Sequence, residues 1–470
     1  MQELPYDKKD LMSIFDYSKR LVQRCLRDFA PEGKELKGKG KLGQLVEKLF
    51  FGYTPNSKQE ADFSFVNAEL KCTPLRLSTK GSWLIKERLV CSMINYLEDW
   101  DKTFEQSSFY QKCLIMLILF YEHQPAISPL DVKFIFTVLW QIPDKDLAIM
   151  RQDYDVIIAK IRSGNAHTLS EGDTMYLGAC RKGQGGDSLS PQYNSSVGAP
   201  KRAWSLKTPY MRMLLAEVES HQRDGAYSNY TPSKNDLSPL FSLSELQDHS
   251  VEDILRRRFA PFIGRTYTEI CKMLQEPISK SKAKYFELAN KIASNGAISN
   301  INRSEEFQKS GLTMKTIRLQ RDGRLKESMS FENIDYYEVL DCDEWVDSRL
   351  YELFSSQFLF VLWRETDSVL ELPNGRCEPE YRLEKTSFWT MSQEDLRTAE
   401  KYWKNIRHNV LSNQINPEHF WRASDKRKFH VRPKGRNATD MVPNPHGGVV
   451  RKYCYWFNAQ YVKHIIEDEL

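Results

Sequence analysis

In the stretch ADFSFVNAELKCTPL, Asp62 is followed seven residues later by Glu69-Leu70-Lys71. On a strand, residues i and i+2 point the same way, so Glu69 and Lys71 project together while Leu70 faces the core. Asp62 reaches the same spot if the chain turns around Val66 to Ala68. Two carboxylates and a lysine meeting there would supply hard oxygen ligands for a divalent cation such as Mg²⁺. They would also set a cation beside the metal-bound water to orient it and favour its deprotonation. That is the chemistry of phosphodiester hydrolysis. Taken alone, the spacing is commoner as a solvated charged face. Two neighbouring features narrow it. Glu47 lies inside the apolar helix of Leu42, Leu45, Val46, Leu49 and Phe50, placed to add a carboxylate to the same cavity. Ahead of it stand Lys34, Lys37, Lys39 and Lys41, interleaved with glycines that let backbone approach a phosphate closely. The bland reading of that run is an ordinary surface loop.

The elements that must position these groups come from a chain of 470 residues, 41% hydrophobic and 12% aromatic, which is enough to build real cores and excludes disorder as a description of the whole. The length corresponds to two to three domains of about 150 residues. With 67 Lys+Arg against 63 Asp+Glu, nucleic-acid contact would have to come from local basic patches. The longest apolar run, Cys113 to Tyr121, is too short for a membrane span and reads as a buried strand. The N-terminus MQELPYDKKDLM lacks the apolar stretch of a signal peptide, so a cytoplasmic protein without a membrane partner is expected. Nine scattered cysteines, never paired as CxxC, read as reduced core thiols. DKKDLMSIFDYSKRLVQRCL has helical spacing opened by Asp7 or Asp10, and QDYDVIIAKIRSG is a second amphipathic helix stopped near Gly164. Mixed strands and helices in this order predict an α/β fold, a mixed sheet flanked by helices.

The polar, turn-rich stretch from His221 to Pro239 divides the chain into similar halves, which show an internal repeat. KGKGKLGQLVEKLFFG matches KSKAKYFELANKIASNG, and ELKCTPLRL matches TMKTIRL. CLIMLILFYE, ending at Glu122, matches QFLFVLWRE, ending at Glu365. MYLGACRKGQGG matches HVRPKGRNATD. The boundaries read 1–220 for the first copy, 221–245 for a linker and 246–470 for the second copy. Asn290 stands where Glu47 does and Thr313 where Glu69 does, while Lys315 remains at the place of Lys71. Glu305 or Glu306 is left as the counterpart of Asp62. The second copy should therefore hold metal poorly and not cut, yet it keeps the basic loop of Arg432, Lys434 and Arg436.

The series GKGKLGQLVEKLFFG, ADFSFVNAELKCTPL, KERLVCSMINY, SSFYQKCLIMLILFYE, LSEGDTMYLGACRKGQGG and KRAWSLKTPYM resembles the MutH mismatch-repair endonuclease. Along essentially the whole chain it resembles still more the two-domain type II restriction enzymes that share the MutH fold and cut at GATC. Asp62, Glu69 and Lys71 match the PD-(D/E)xK motif of that superfamily, Glu47 its helix carboxylate and Lys112 its additional active-site lysine. The resemblance implies a restriction-endonuclease-like fold in two tandem copies, the second degenerate. It implies Mg²⁺ held by Asp62, Glu69, the Leu70 carbonyl and Glu47, with Lys71 positioning the attacking water and Lys112 near the scissile phosphate. It further implies double-stranded DNA cut before the G of GATC, and contacts to DNA from Lys39, Lys41, Arg181, Lys182, Lys207 and Tyr210. The second copy, with Arg432, Lys434 and Arg436, would bind a second DNA site as an allosteric effector. A monomer in solution, with dimerisation on DNA left open, and a cognate methyltransferase complete the expectation. The alternatives are a methyl-directed nicking endonuclease of mismatch repair and a non-cleaving DNA-binding regulator.

Overall fold

Residues 4–29, 42–53, 60–124, 126–182, 189–223, 239–437 and 439–469 are described by a computed structural model, and the chain divides into two compact units, Met1–Asp236 and Leu237–Leu470. Among the described residues no helix is long and apolar enough to cross a membrane. All nine cysteines are free, and six of them are buried.

The first unit contains strands β1 (Glu69–Leu77), β2 (Trp83–Ile85), β3 (Leu89–Met93), β4 (Ile115–Glu122), β5 (Phe134–Gln141), β6 (Leu177–Arg181), β7 (Leu189–Gln192), β8 (Ser195–Pro200) and β9 (Arg202–Leu206). Its helices are α1 (Leu11–Ser18), α2 (Leu42–Leu45), α3 (Ser108–Cys113), α4 (Asp144–Arg162) and α5 (Thr208–Arg223). A mixed sheet runs in the order β2-β1-β4-β5, with β1 and β4 parallel from Glu69 opposite Met116 to Leu75 opposite Glu122. The long apolar run forms β4, whose residues Met116 to Phe120 are all buried, as a strand covered on both faces must be. Because β2 pairs only with Leu75 to Leu77, it leaves the first half of that edge of β1, with Glu69 and Lys71, to other contacts. A second, antiparallel sheet runs β3-β9-β6. The buried Asp153 carboxylate ties α4 to it, accepting from the backbone N–H groups of Met175, Tyr176 and Leu177 at 2.6, 2.7 and 2.8 Å. Helix α4 ends where Gly164 adopts φ 73°.

Helix α1 is shorter than its sequence spacing implies. Asp10 caps it, accepting from Met12 N–H at 2.9 Å, but after the 3₁₀ turn Lys19–Leu21 the chain leaves the helix. Gln23 turns to φ 64° and donates to Phe134 O, while Phe134 N–H donates to Arg24 O. Pairing with the end of β5 overrides the local helical preference.

The second unit contains helices α6 (Leu243–Asp248), α7 (Val251–Phe259), α8 (Tyr267–Met273), α9 (Lys284–Ser294), α10 (Glu305–Ser310), α11 (Tyr336–Asp341), α12 (Arg349–Ser355), α13 (Gln393–Leu411) and α14 (Ala459–His464). Its strands are β10 (Thr313–Leu319), β11 (Met329–Asn333), β12 (Phe358–Glu371), β13 (Cys377–Trp389), β14 (Phe429–Pro433), β15 (Met441–Pro443), β16 (Val449–Arg451) and β17 (Tyr453–Phe457). The sheets run β10-β12-β13 and β11-β17-β14, echoing β1-β4-β5 and β3-β9-β6. β10 is parallel to β12 with Thr313 opposite Phe358, as Glu69 stands opposite Met116. That register pairs Glu122 with Arg364, a correction of one residue to the sequence match with Glu365. Phe331, Phe354, Phe358 and Phe429 converge on Phe457 in the core, with ring centroids 4.5 to 6.3 Å apart.

Candidate active site

Glu69 opens β1, and a tight turn ahead of it delivers Asp62. Phe63 and Ala68 pair across this turn, and Asn67 adopts φ 49°, a conformation that asparagine tolerates. The expected reversal around Val66 to Ala68 is thus a turn feeding β1. Asp62 Oδ2 accepts from Leu70 N–H at 3.0 Å, and Asp62 N–H donates to Glu69 Oε2 at 3.3 Å. Lys71 Nζ donates to Glu69 Oε1 and to the Cys91 carbonyl of β3, both at 2.9 Å. The Lys71–Glu69 pair is largely buried, with side-chain exposures of 14% and 7%, so water screens it poorly. Helix α2 runs on into a wider π turn over Val46–Phe50 that carries Glu47, and Lys112 comes from the last turn of α3.

The electrostatics show that these five side chains share one environment. Burial, then Asp62 and Glu69, push the Glu47 carboxyl up to about 7, while Lys71 and Lys112 pull it down. Burial and Glu69 raise Asp62, opposed by the Leu70 N–H, Lys71 and Lys112. Burial works against the Lys71 ammonium, but Cys113, Glu69 and Cys91 together hold it above the usual lysine range. Burial and mutual repulsion thus raise Glu47 and Asp62, and a cation bound between them would relieve both. Among the described residues no three His, Cys, Asp or Glu side chains stand as a metal-holding group. The oxygen donors of Asp62, Glu69, the Leu70 carbonyl and Glu47 are of the hard type that would fit a cation such as Mg²⁺.

Glu47, Leu70 and Lys71 line a cleft of about 710 Å³ with Glu87, Tyr121 and His123. The last three were not singled out from sequence. Glu87 and His123 lie in turns whose path only the sheet fixes, and Tyr121 ends a strand that otherwise reads as core.

The expected DNA contacts divide. Lys39 and Lys41 lie outside the described residues. Arg181 is exposed at the end of β6, and Lys182 N–H donates to Lys201 O just beyond it. Lys207 and Tyr210 are corrected. Lys207 is 4% exposed and its ammonium donates to the carbonyls of Glu171 and Thr174 at 2.9 and 2.7 Å. Tyr210 is 1% exposed and its hydroxyl donates to the buried Asp146 at 2.9 Å. Both fasten the β9–α5 junction internally, so neither presents a polar group to a groove. The second unit repeats the tie, with Tyr461 donating to Asp395 at 2.7 Å.

In the second unit Lys315 donates to the Ser330 carbonyl of β11 at 2.8 Å, the counterpart of Lys71 on Cys91. The counterpart of Asp62 is neither glutamate. Glu306 is buried against the N–H groups of Leu240 and Phe241, and Glu305 pairs with Lys309. Asn302 takes the place instead: its Oδ1 accepts from Met314 N–H at 2.7 Å, as Asp62 does from Leu70, and its Nδ2 donates to Met314 O at 3.2 Å. An amide donor therefore covers the carbonyl equivalent to that of Leu70. Asn290 on α9 bonds to the segment that follows its helix, donating to Ile298 O and accepting from Ile301 N–H. The serine caps Ser107 and Ser348 align α3 with α12, which sets the buried Leu353 at the place of Lys112. Arg432, Lys434 and Arg436 are exposed on and beyond β14.

A family model described as "DNA mismatch repair enzyme MutH" matches residues 51–153, which hold Asp62, Glu69, Lys71 and Lys112. The type II restriction enzyme Sau3AI of Staphylococcus aureus is 28% identical over 93% of this chain and 94% of its own. DNA mismatch repair proteins MutH are similar over one copy only. That of Shewanella amazonensis is 27% identical over 38% of this chain and 80% of its own, and that of Shewanella sp. strain MR-7 is 28% identical over 39% and 82%.

Proposed function

We propose that this chain, a MutH-like endonuclease of the type II restriction class and hence a site-specific deoxyribonuclease, cuts both strands of double-stranded DNA at 5′-GATC-3′, before the G, with Mg²⁺ as cofactor. The observation that carries the reading is the convergence of Asp62, Glu69, Lys71, Glu47 and Lys112 in the first unit, where the second unit has Asn302, Thr313, Lys315, Asn290 and Leu353. When bound, Mg²⁺ would polarise the scissile phosphate and lower the pKa of a water. Asp62, Glu69 and the Leu70 carbonyl would hold it. Lys71, fixed between Glu69 and the Cys91 carbonyl, orients the attacking water, and Lys112 stands beside the reacting phosphate. Glu47 would help to hold a second ion or the water network beside the first. Arg181 and Lys182 contact the DNA beside the cut.

The second unit, through Arg432, Lys434 and Arg436, binds a second DNA site and acts as an effector. A mismatch-repair nickase fits less well, since the MutH proteins match about two-fifths of this chain. A non-cleaving regulator fits less well because the acidic cluster is intact in one unit while it is neutralised in the other. In a host the enzyme would act in the cytoplasm beside a methyltransferase that protects the same sites. Sequencing the ends left on unmethylated plasmid incubated with the protein and Mg²⁺ tests the reading. Double-strand ends before the G of GATC are expected, whereas nicks alone, or ends at unrelated sequences, would replace it.

A further inference from the structure

In the first unit Lys71 has a carboxylate partner, Glu69 at 2.9 Å. Its counterpart Lys315 faces Thr313, and a second cation stands beside it. Lys434 Nζ donates to Ser330 Oγ and Phe331 O, both at 3.0 Å, while Lys315 Nζ donates to Ser330 O at 2.8 Å and lies 4.6 Å from the centroid of the Phe331 ring. Two ammoniums thus converge on consecutive residues of β11, and their hydrogen bonds go to neutral oxygens. The carboxylate on the next residue, Glu332, is held by both arms of Arg349 at 2.8 and 3.0 Å. The ligands whose negative charge would repel a phosphate are replaced by Asn290, Asn302 and Thr313. Burial first, and then Lys434, push Lys315 down to about 8. Lys434 is exposed and Lys315 is half-buried, so the site opens to solvent on the Lys434 side.

We propose that the degenerate site of the second unit is an anion receptor in which Lys315 and Lys434 together take one backbone phosphate of a DNA duplex, where the first unit gathers its carboxylates. This rests on the reading of the second unit as a DNA-binding domain. Loss of the acids converts the site from one needing a metal to meet phosphate into one that meets it with lysine alone. A phosphate contact is blind to sequence, which distinguishes it from base reading by the same lysine.

The test is titration of the full chain, in EDTA to prevent cutting, with short duplexes with and without GATC. Stoichiometry is followed by calorimetry across a salt series. Wild type should take two duplexes per chain. Lys434→Ala, which touches no core packing, and Lys315→Met should each weaken the second site about tenfold for both duplexes, and each should lower its salt slope by about 0.9, the value for one phosphate. The first site should keep its affinity. Two duplexes bound with equal strength by wild type and variants would overturn the receptor and leave the DNA-binding reading standing. A loss confined to the GATC duplex would overturn it too, by making Lys434 a base reader. A single duplex bound by wild type would overturn both readings.

Discussion

Lys71 and Lys315 hold the same place in two copies of one fold, and what faces them decides their chemistry. The ELK spacing made Glu69 and Lys71 readable, because strand alternation alone puts them on one side. Asn302 was not readable. It lies on a turn before a short helix, and only its paired hydrogen bonds to Met314 show it standing in for Asp62, while Glu305 and Glu306 had the right chemistry in the wrong place. His430 is a second residue whose role the sequence hides. Its ring is 1% exposed, stacks on Trp456 with 17° between planes, and neither nitrogen has a hydrogen-bond partner among the described residues. Burial, then Arg432, push it down to about 4. An unfolded histidine takes its proton near pH 6.5, so stability from the neutral ring is full above that pH. It is lost as pH falls towards 4, by up to roughly 3 kcal/mol. Urea midpoints of the second unit's transition should fall over that window in wild type and flatten in His430→Phe. An equal slope in both would place the titration elsewhere.

Among the elements, β4 and the long helix α4 follow from apolar run and helical period, whereas α1 stops early because its continuation pairs with Phe134. The segment LKTPYM is the instructive error. A lysine and a tyrosine in a basic stretch look like DNA contacts, yet position along the chain does not reveal that the β9–α5 junction turns both inward. The same tyrosine-to-aspartate tie in the second unit, Tyr461 on Asp395, argues that it fastens the C-terminal helix of each copy to the long helix. Tyr210→Phe should cost about 1–3 kcal/mol in urea unfolding, because Asp146 loses a buried donor, and should leave the cutting position unchanged. A variant of full stability that cuts elsewhere would return Tyr210 to the DNA.

At the scale of the whole chain, two units share one order of strands while differing in every carboxylate of the site, and the proposed reading divides the work between them, one cutting and the other holding DNA. If the second is an effector, plasmid with two GATC sites should be cut faster than plasmid with one at equal site concentration, with looped pairs favoured once their spacing clears DNA's stiffness of roughly 150 bp. Equal rates across enzyme concentrations would reduce the second unit to a wider footprint or a buttress. The most direct measurement of the central claim is the single-turnover cleavage rate of a GATC duplex in Mg²⁺ by wild type and by Glu69→Gln, with the unfolding midpoint measured alongside. The acidic cluster predicts a loss of about 10³-fold or more in the variant at unchanged stability, since a ligand worth several kcal/mol is removed. A Glu69→Gln protein that cuts at the wild-type rate would contradict it.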